Sequence, residues 1–448
     1  MAHREEILRQ SRRTFRQVLA DHTFGELWVG GQRPTSFDHV FFASVQSLAA
    51  ADLDRLDPTH FDVIIVDEFH HAAAPSYAAI MDDLAPRELL GLTATPERAD
   101  QLDVLRWFGG RIAAEMRLWD AIEQHRLSPF AYYGIHDGID LTEVPWRRGK
   151  GYDIDALTEV YLGNEAWAHF VYDQLRAHVD DVTAIRCLGF CVSVEHARFM
   201  ATQFQALGLN AVAVWNETSS ADRQASLRAL AEGRLQVVFS VDLFNEGVDV
   251  PVVDTVLMLR PTESAALFIQ QLGRGLRLAL GKSLCTVLDF VGQHRREFRF
   301  DQRYRALLGG SRRDVEQAID QGFPFLPAGC HMELDRVARE VIMQSLKNAV
   351  PSDKRARVRE LRDLHRRGGS ITLANYLHTT GLDVADVYSS NSGWSNLLEE
   401  AELPVAPSGP DEQKIRRSIG RMLHIDDRQR IDGYRALLSN ATTPSSSL

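Results

Sequence analysis

Short apolar runs alternate with segments of helical periodicity over about the first 300 residues of the chain. The apolar runs predict strands at 26–30, 40–43, 61–66, 89–92, 185–190, 211–215, 237–241, 255–259 and 285–290. Between them, segments such as 195–208 and 222–233 carry apolar residues at helical spacing and stop at a glycine. Strands that alternate with helices and consist mainly of Val, Ile and Leu are typical of parallel sheets buried on both faces. The pattern therefore predicts an α/β fold with two parallel-sheet lobes.

After about residue 305, the pattern of apolar and polar residues becomes mainly helical. The predicted organisation is a partial first lobe (1–120), a connecting segment (121–155), a second lobe (156–305), a mainly helical C-terminal domain (306–440) and a disordered tail (441–448). The first lobe opens on a helix-like segment, 4–19, with no strand before it. An open α/β domain usually begins with a strand whose following loop binds phosphate, so we expect the first lobe to be incomplete.

Composition changes this picture little. The 448 residues are 45% hydrophobic and 25% charged, with no apolar run as long as a membrane span and no signal-peptide core, which predicts a cytoplasmic protein without a membrane partner. The net charge of −11 excludes little, because phosphate contacts need only a local basic track. Such tracks occur at 294–299, 354–359, 365–367 and 414–417. Solvated helix faces with internal salt bridges explain each track equally well.

An acidic pair follows the strand predicted at 61–66. At the end of such a strand, Asp67 is placed to hold Mg²⁺ through water, and Glu68 to orient or deprotonate an attacking water. His70, two residues further on, is a candidate sensor of closure of the second lobe. Taken alone, a surface acidic pair after a core strand would be the simpler explanation.

Further polar residues follow other predicted strands. Thr93 follows the strand at 89–92, at the edge that carries Asp67, and is a candidate hydrogen-bond link between nucleotide and lobe movement. In the second lobe, Gly247 suits close backbone approach and Asp249 is placed to reach across a cleft between the lobes.

The segment 270–277 begins with Gln270 and places Arg274 and Arg277 three residues apart. We expect both arginines on one helix face, where they can point at a γ-phosphate, although structural salt bridges are an alternative. The acidic pair and the arginines are thus the two ends of a phosphoryl-transfer site split between the lobes.

The part of such a site that cradles the phosphates is missing. No G-x-x-x-x-G-K-[ST] segment precedes the acidic pair. Gly281-Lys282-Ser283 imitates the end of one, but Leu276 stands where the first glycine is required, and the segment lies in the wrong lobe. We interpret it as an ordinary turn.

As an ordered set, these segments resemble the superfamily 2 helicases of the Asp-Glu-x-His type, similar to the Res subunits of type III restriction enzymes. Residues 67–70 resemble the Walker B motif, 93–95 motif III, 240–251 motif V and 270–277 motif VI, while 2–5, 44–47 and 190–193 resemble motifs that contact nucleic acid. The resemblance implies two RecA-like lobes, ATP and Mg²⁺ as cofactors and a nucleic-acid partner, with DNA preferred over RNA. It implies that Asp67, Thr93, Gly247, Asp249, Arg274 and Arg277 bind the cofactor. It implies nucleic-acid contacts at Arg4, Ser44, Gln46 and Ser193.

The chain departs from the family pattern in places. Residues 2–5 already match motif Ia, so the family's Walker A loop would lie before residue 1. We therefore expect an N-terminally truncated helicase that is a poor ATPase by itself. Val241 stands where many relatives carry a threonine. Residues 323–338, 372–377 and 394–397 resemble a bacterial subgroup with a C-terminal domain of unassigned function.

Three interpretations stay open. The chain is a shortened ATP-dependent helicase, or a non-hydrolysing module that binds nucleic acid, or one half of a split helicase whose partner chain supplies the phosphate loop. Nucleic-acid-stimulated ATP turnover by the chain as given would exclude the second.

Overall fold

The computed structural model describes residues 1–35, 40–49, 57–69, 75–93, 104–109, 111–147, 151–241, 250–310, 312–348, 354–366, 371–388, 393–405, 411–423, 425 and 427–438. Its contacts divide the chain into a first unit, Met1–Gly310 with Asp314–Ser345, and a second unit, Ser311–Arg313 with Leu346–Leu448. The strands are β1 Glu26–Trp28, β2 Phe41–Ala43, β3 Val63–Val66, β4 Glu88–Gly91, β5 Phe130–Asp140, β6 Trp146–Arg147, β7 Gly151–Tyr152, β8 Cys187–Phe190, β9 Ala211–Val214, β10 Val237–Ser240, β11 Thr255–Met258, β12 Cys285–Gln293 and β13 His331–Leu334.

The helices of the first unit are α1 Glu5–Val18, α2 Val45–Ala49, α3 Pro75–Asp83, α4 Leu118–Glu123, α5 Ile154–Tyr161, α6 Glu165–His178, α7 Val194–Ala206, α8 Ser220–Ala231, α9 Ala265–Gly275, α10 Phe300–Leu308, α11 Arg312–Asp320 and α12 Arg336–Asn348, the last two extending into residues of the second unit. The helices of the second unit are α13 Lys354–Arg366, α14 Leu373–Thr380, α15 Val384–Val387, α16 Trp394–Glu400, α17 Glu412–Ile419 and α18 Arg428–Leu438. Short 3₁₀ helices lie at Val104–Phe108 and Gly420–Met422.

The first lobe is built on two parallel strand pairs, β1 with β2 and β3 with β4. The first two residues of the chain join these pairs. Ala2 forms a parallel bridge with Ser44 beyond the end of β2, and the Asp67 N–H after β3 donates to the Met1 carbonyl at 2.9 Å. The carboxyl ends of β2 and β3 therefore share one sheet edge.

The second lobe is built on a seven-stranded sheet in the order β13-β5-β12-β11-β8-β10-β9, in which every neighbouring pair is parallel. Its central strands β8, β10 and β11 are buried at every position, which explains their unbroken apolar sequences. All nine strands that the hydrophobic pattern predicts are present, and the α/β prediction is confirmed.

Two strands of this sheet were not predicted. β5 falls in the predicted connecting segment and β13 in the predicted helical domain, yet β5 is an interior strand between β12 and β13. The missing signal is compositional. Gly134, His136, Asp137 and Gly138 interrupt β5, so it lacks the Val/Ile/Leu run that marks the other interior strands.

A buried ion pair ties the second lobe's sheet to the helices on its face. Arg303 on α10 is hydrogen-bonded to Asp289 on β12, and their side chains are 4% and 3% exposed. The Tyr132 hydroxyl donates to the same carboxylate at 2.5 Å, and the Arg303 guanidinium lies 4.4 Å from the ring centre of Phe268 on α9. The pair therefore fixes α9 and α10 against the sheet.

The second unit is helical and has its own apolar core. That core includes Leu361 and Leu364 of α13, Tyr376 of α14 and Leu397 of α16. Several basic residues of the predicted tracks form ion pairs here: Arg416 of α17, 8% exposed, contacts Glu399 and Glu412, each at 2.7 Å. Within the described residues, no helix is long and apolar enough to cross a membrane.

Candidate nucleotide and nucleic-acid site

The acidic pair lies at the carboxyl edge of the first lobe's sheet. Asp67 and Glu68 follow β3, and Thr93 follows the neighbouring β4. The Phe69 N–H donates to the Leu92 carbonyl at 2.7 Å, which holds the two strand ends together. Glu68 has a φ of 52°, a left-handed conformation that non-glycine residues rarely adopt and that recurs at functional turns. The structure therefore brings Asp67, Glu68 and Thr93 to one edge.

The electrostatics of this edge suit a cation. Burial, and then the Glu68 charge, raises the pKa of Asp67 above its usual range. A divalent ion would offset both the lost hydration of the Asp67 carboxylate and its repulsion by Glu68. Carboxylate oxygens are among the ligands that Mg²⁺ prefers. No cluster of three or more His, Cys, Asp or Glu side chains able to hold a metal occurs in the described ranges. The residues thus fit a Mg²⁺ ion held by few carboxylates, with water and phosphate oxygens completing its shell.

The three first-lobe residues predicted to contact nucleic acid lie at the neighbouring part of this edge. Arg4 directly precedes α1, and Ser44 caps α2 by accepting from the Ser47 N–H at 3.1 Å. Gln46 is exposed on the first turn of α2. Ala2 bridges Ser44 and the Asp67 N–H donates to the Met1 carbonyl, so the backbone brings these residues near the acidic pair. Ser44 is 7% exposed, and its contact to nucleic acid stays a prediction, as do those of Arg4 and Gln46.

The arginines of the second lobe are not on one helix face, which corrects the sequence prediction. Arg274 is in the last turn of α9 and Gln270 one turn earlier, but α9 ends at Gly275 and Arg277 lies beyond it. The Lys282 ammonium ends the helix by donating to the Arg277 carbonyl at 2.8 Å and to that of Gly275. Gly281-Lys282-Ser283 is therefore the turn that the sequence predicts, with a capping role that sequence reasoning missed.

The end of α9 packs closely on the sheet. A Cβ at Gly275 would lie 2.3 Å from the sulfur of Cys285, the first residue of β12, and 2.8 Å from Val256, the second residue of β11. Arg274 and Arg277 are consequently near the amino edge of this sheet, whereas Ser193 and Ser240 are at its carboxyl edge. Their pairing with Asp67 and Glu68 across the lobes stays a prediction.

Ser193 has a structural role in the second lobe. It is 8% exposed and caps α7, its hydroxyl accepting from the His196 N–H at 3.2 Å. His196 is fully buried against Tyr161 and Trp167, and burial lowers the pKa of its imidazole to about 3. The hydroxyl is thus used inside the lobe, and its contact to nucleic acid stays a prediction.

Replacing Ser193 with alanine is expected to lower the free energy of unfolding by about 1 kcal/mol, because the cap of α7 is lost. Ser193→Asp should keep most of the stability, since aspartate caps equally well. Urea unfolding followed by far-UV circular dichroism measures both values. If Ser193→Ala leaves stability unchanged and weakens nucleic-acid binding, the hydroxyl serves as a contact instead.

Several predicted site residues lie outside the described residues. These are His70, Gly247 and Asp249. An ion pair of Glu6 on α1 with Arg223 on α8, at 3.0 Å, joins the first lobe to a helix of the second.

Comparison with known families fits this geometry. Residues 1–98 match the family model described as Type III restriction enzyme, res subunit, and residues 171–279 match the helicase conserved C-terminal domain. The two matches support a Res-like helicase of superfamily 2. The first match ends just after Thr93, and the second contains Ser193, Gln270 and Arg274.

Two curated relatives of the chain are yeast proteins. It is 27% identical over 299 residues to the putative ATP-dependent helicase IRC3 of Saccharomyces cerevisiae, covering 65% of this chain and 43% of that protein. It is 29% identical over 318 residues to the putative mitochondrial ATP-dependent helicase irc3 of Schizosaccharomyces pombe, covering 66% and 49%. The chain thus spans less than half the length of each.

Among solved structures, the chain is similar to a fragment of a putative HsdR subunit of a type I restriction enzyme from Vibrio vulnificus. The TM-score is 0.50 at 21% identity, covering 70% of this chain and 54% of that one. This likeness concerns the fold alone, which is the RecA-like α/β architecture.

Proposed function

We propose that the chain is an ATP- and Mg²⁺-dependent helicase or translocase component that grips a nucleic-acid strand, preferably DNA. The observation that supports the proposal is that Asp67, Glu68 and Thr93 share one sheet edge, and that the backbone brings Arg4, Ser44 and Gln46 near it. A family that couples nucleotide hydrolysis to strand movement needs its metal-binding carboxylates and its strand contacts on adjoining surfaces.

We also propose that these 448 residues by themselves hydrolyse ATP poorly. The carboxylates fit the metal, but the sequence contains no G-x-x-x-x-G-K-[ST] loop to hold the β- and γ-phosphates. When Mg²⁺ and ATP are bound, Asp67 would hold the ion through water and Glu68 would orient or deprotonate the attacking water. Arg274 and Arg277 would face the γ-phosphate.

The test combines two measurements on the purified chain. Fluorescence anisotropy with labelled single-stranded DNA and RNA of one sequence is expected to show binding that weakens with salt and is unchanged by ATP. ATP turnover, with and without the DNA, is expected to match that of the Glu68→Gln variant.

The two outcomes separate the parts of the proposal. Absence of binding to either strand at low salt would refute the nucleic-acid assignment. DNA-stimulated turnover that falls at least about 100-fold in Glu68→Gln would refute the expectation of poor hydrolysis, while supporting the role of Glu68.

One observation favours the split-helicase alternative. The side chains of β3 and β4 alternate, and the face opposite the core exposes Val63, Ile65, Leu90 and Leu92 by 57%, 38%, 46% and 45%. In the part of the chain that the structure describes, β4 pairs on one side only. An apolar sheet face beside an available strand edge fits a polypeptide that adds a strand and helix carrying a phosphate loop.

This alternative is tested at the DNA level and then with protein. The coding DNA around the reading frame is searched for G-x-x-x-x-G-K-[ST], and the segment found is coexpressed with the chain. We expect copurification and ATP turnover, both abolished by Val63→Lys/Leu90→Lys. Both should be kept by Val18→Lys/Leu19→Lys, at the exposed last residue of α1 and the exposed residue that follows it. Equal copurification by both variants would contradict docking on this sheet face.

A further inference from the structure

Helix α1 carries a basic face that none of the family motifs includes. Arg9, Arg12, Arg13 and Arg16 recur at intervals of three and four residues, which places them on one side of the helix. Together with Gln17, Ala20 and His22 they line an open groove of about 660 Å³. Four arginines in one groove are a dense local charge on a chain whose net charge is −11.

Most of this charge is not neutralised. Arg9 donates to Glu5 at 2.6 Å, so its charge is balanced. Arg16 donates to the carbonyls of Phe24 and Gly25, at 2.7 and 2.9 Å, which fixes its guanidinium without cancelling its charge. Among the described residues, Arg12 and Arg13 have no carboxylate within ion-pair distance.

The arginines repel one another. Burial, and then the charges of Arg16 and Arg9, lower the pKa of Arg12. The charge of Arg16 acts on the Asp21 carboxylate. That carboxylate accepts hydrogen bonds from the Thr23 N–H and hydroxyl, at 2.8 and 2.6 Å, which hold it in its own loop. An anion in the groove would relieve this repulsion, which is the electrostatic property of an anion site.

The groove lies away from the edge that carries the family motifs. Helix α1 begins next to Arg4 at the carboxyl edge of the first lobe's sheet, and Arg16 reaches the carbonyls of Phe24 and Gly25 just before β1. The helix therefore runs back along the lobe toward the amino edge, over about 20 Å at about 1.5 Å per residue. A ligand that bridges Arg4 and the groove must be an extended polyanion.

We propose that the face of α1 formed by Arg9, Arg12, Arg13 and Arg16 is an accessory site for the phosphate backbone of nucleic acid, which holds the strand beyond the motif edge. The inference rests on the proposed nucleic-acid binding. Arginine fits the site because its planar, weakly hydrated guanidinium binds phosphate through paired hydrogen bonds. A polyphosphate backbone matches a face about 10 Å long better than a single phosphate does.

The test is charge reversal at the two arginines that lack a carboxylate. Arg12→Glu/Arg13→Glu is expected to weaken binding of a fluorescent 25-nucleotide single-stranded DNA by more than about tenfold. The slope of log affinity against log salt should fall by about 1.4, which corresponds to two lost phosphate contacts. Binding of a 6-nucleotide DNA should change little, since it can occupy the motif edge alone.

A matched control keeps the net charge equal. Arg33→Glu/Arg147→Glu changes the same total charge at exposed positions elsewhere in the first unit, and should reduce 25-nucleotide binding less than threefold. Arg12→Lys/Arg13→Lys keeps the positive charge and should bind nearly as the parent chain does. Circular dichroism of each variant verifies folding.

The outcomes distinguish this inference from the proposed function. If the parent chain binds no nucleic acid, the proposed function fails. If the parent binds but Arg12→Glu/Arg13→Glu behaves as the control does, the accessory site is refuted and the motif edge alone binds. Displacement of the long DNA by polyglutamate at equal charge concentration would also refute it, because the face would then bind any polyanion.

Discussion

Replacing Arg303 with methionine is expected to reduce the free energy of unfolding of the first unit by about 3–5 kcal/mol. The substitution keeps an unbranched apolar stem but leaves the Asp289 carboxylate charged, 3% exposed and without its cation. The Tyr132 hydroxyl still donates to it at 2.5 Å, and a single neutral donor does not offset the burial of a charge.

The double variant Asp289→Asn/Arg303→Met decides between charge and packing. Asparagine removes the stranded charge and can still accept from Tyr132, so at least half of the lost stability should return. Arg305→Met on the same helix is the control, and it should change stability by less than about 0.5 kcal/mol. Urea unfolding followed by tryptophan fluorescence measures all three. A loss below about 1 kcal/mol for Arg303→Met would contradict a structural role of the pair.

The two glycines at the end of α9 are expected to respond to alanine with opposite signs. Gly275→Ala should cost about 1–3 kcal/mol, because its Cβ would lie 2.3 Å from the Cys285 sulfur and 2.8 Å from Val256, both buried in the sheet. Gly273→Ala meets no atom within 4 Å and should stabilise the chain by about 0.5–1 kcal/mol through helix propensity.

Removing the obstructing sulfur tests the cause. Cys285→Ala in the Gly275→Ala background should recover part of the loss, since the closest contact disappears. Thermal unfolding by calorimetry compares the single and double variants. Equal melting temperatures for Gly275→Ala and Gly273→Ala would show that α9 can lift from the sheet without cost. Because Arg274 lies between the two glycines, such freedom would weaken its placement toward a phosphate.

The sequence was sufficient for the elements whose pattern is simple. The buried strands β8, β10 and β11 are short, apolar and bounded by turn residues, so their hydrophobic runs predicted them directly. The edge that presents Asp67, Glu68 and Thr93 could also be predicted, because parallel neighbouring strands end on the same side of a sheet.

What the sequence could not reveal depends on contacts between distant segments. The i,i+3 spacing of Arg274 and Arg277 indicated one helix face, but the Lys282 ammonium ends the helix between them. The hydroxyl of Ser193 matched a nucleic-acid motif, yet only the structure shows it committed to the His196 N–H. The arginine spacing on α1 was visible in the sequence, whereas its groove depends on the carbonyls that hold Arg16.

Strand β5 has a consequence for how the chain is made. It is the first strand of its sheet to leave the ribosome. Its partner β12 begins at Cys285, so β12 follows only after four other strands of the same sheet, β8 to β11, have emerged. At about 5–20 residues per second, the nascent β5 waits roughly 10–30 s with both edges unpaired. A fragment that starts at residue 156 would never contain it, so expression of the second lobe should begin ahead of Phe130 to avoid aggregation.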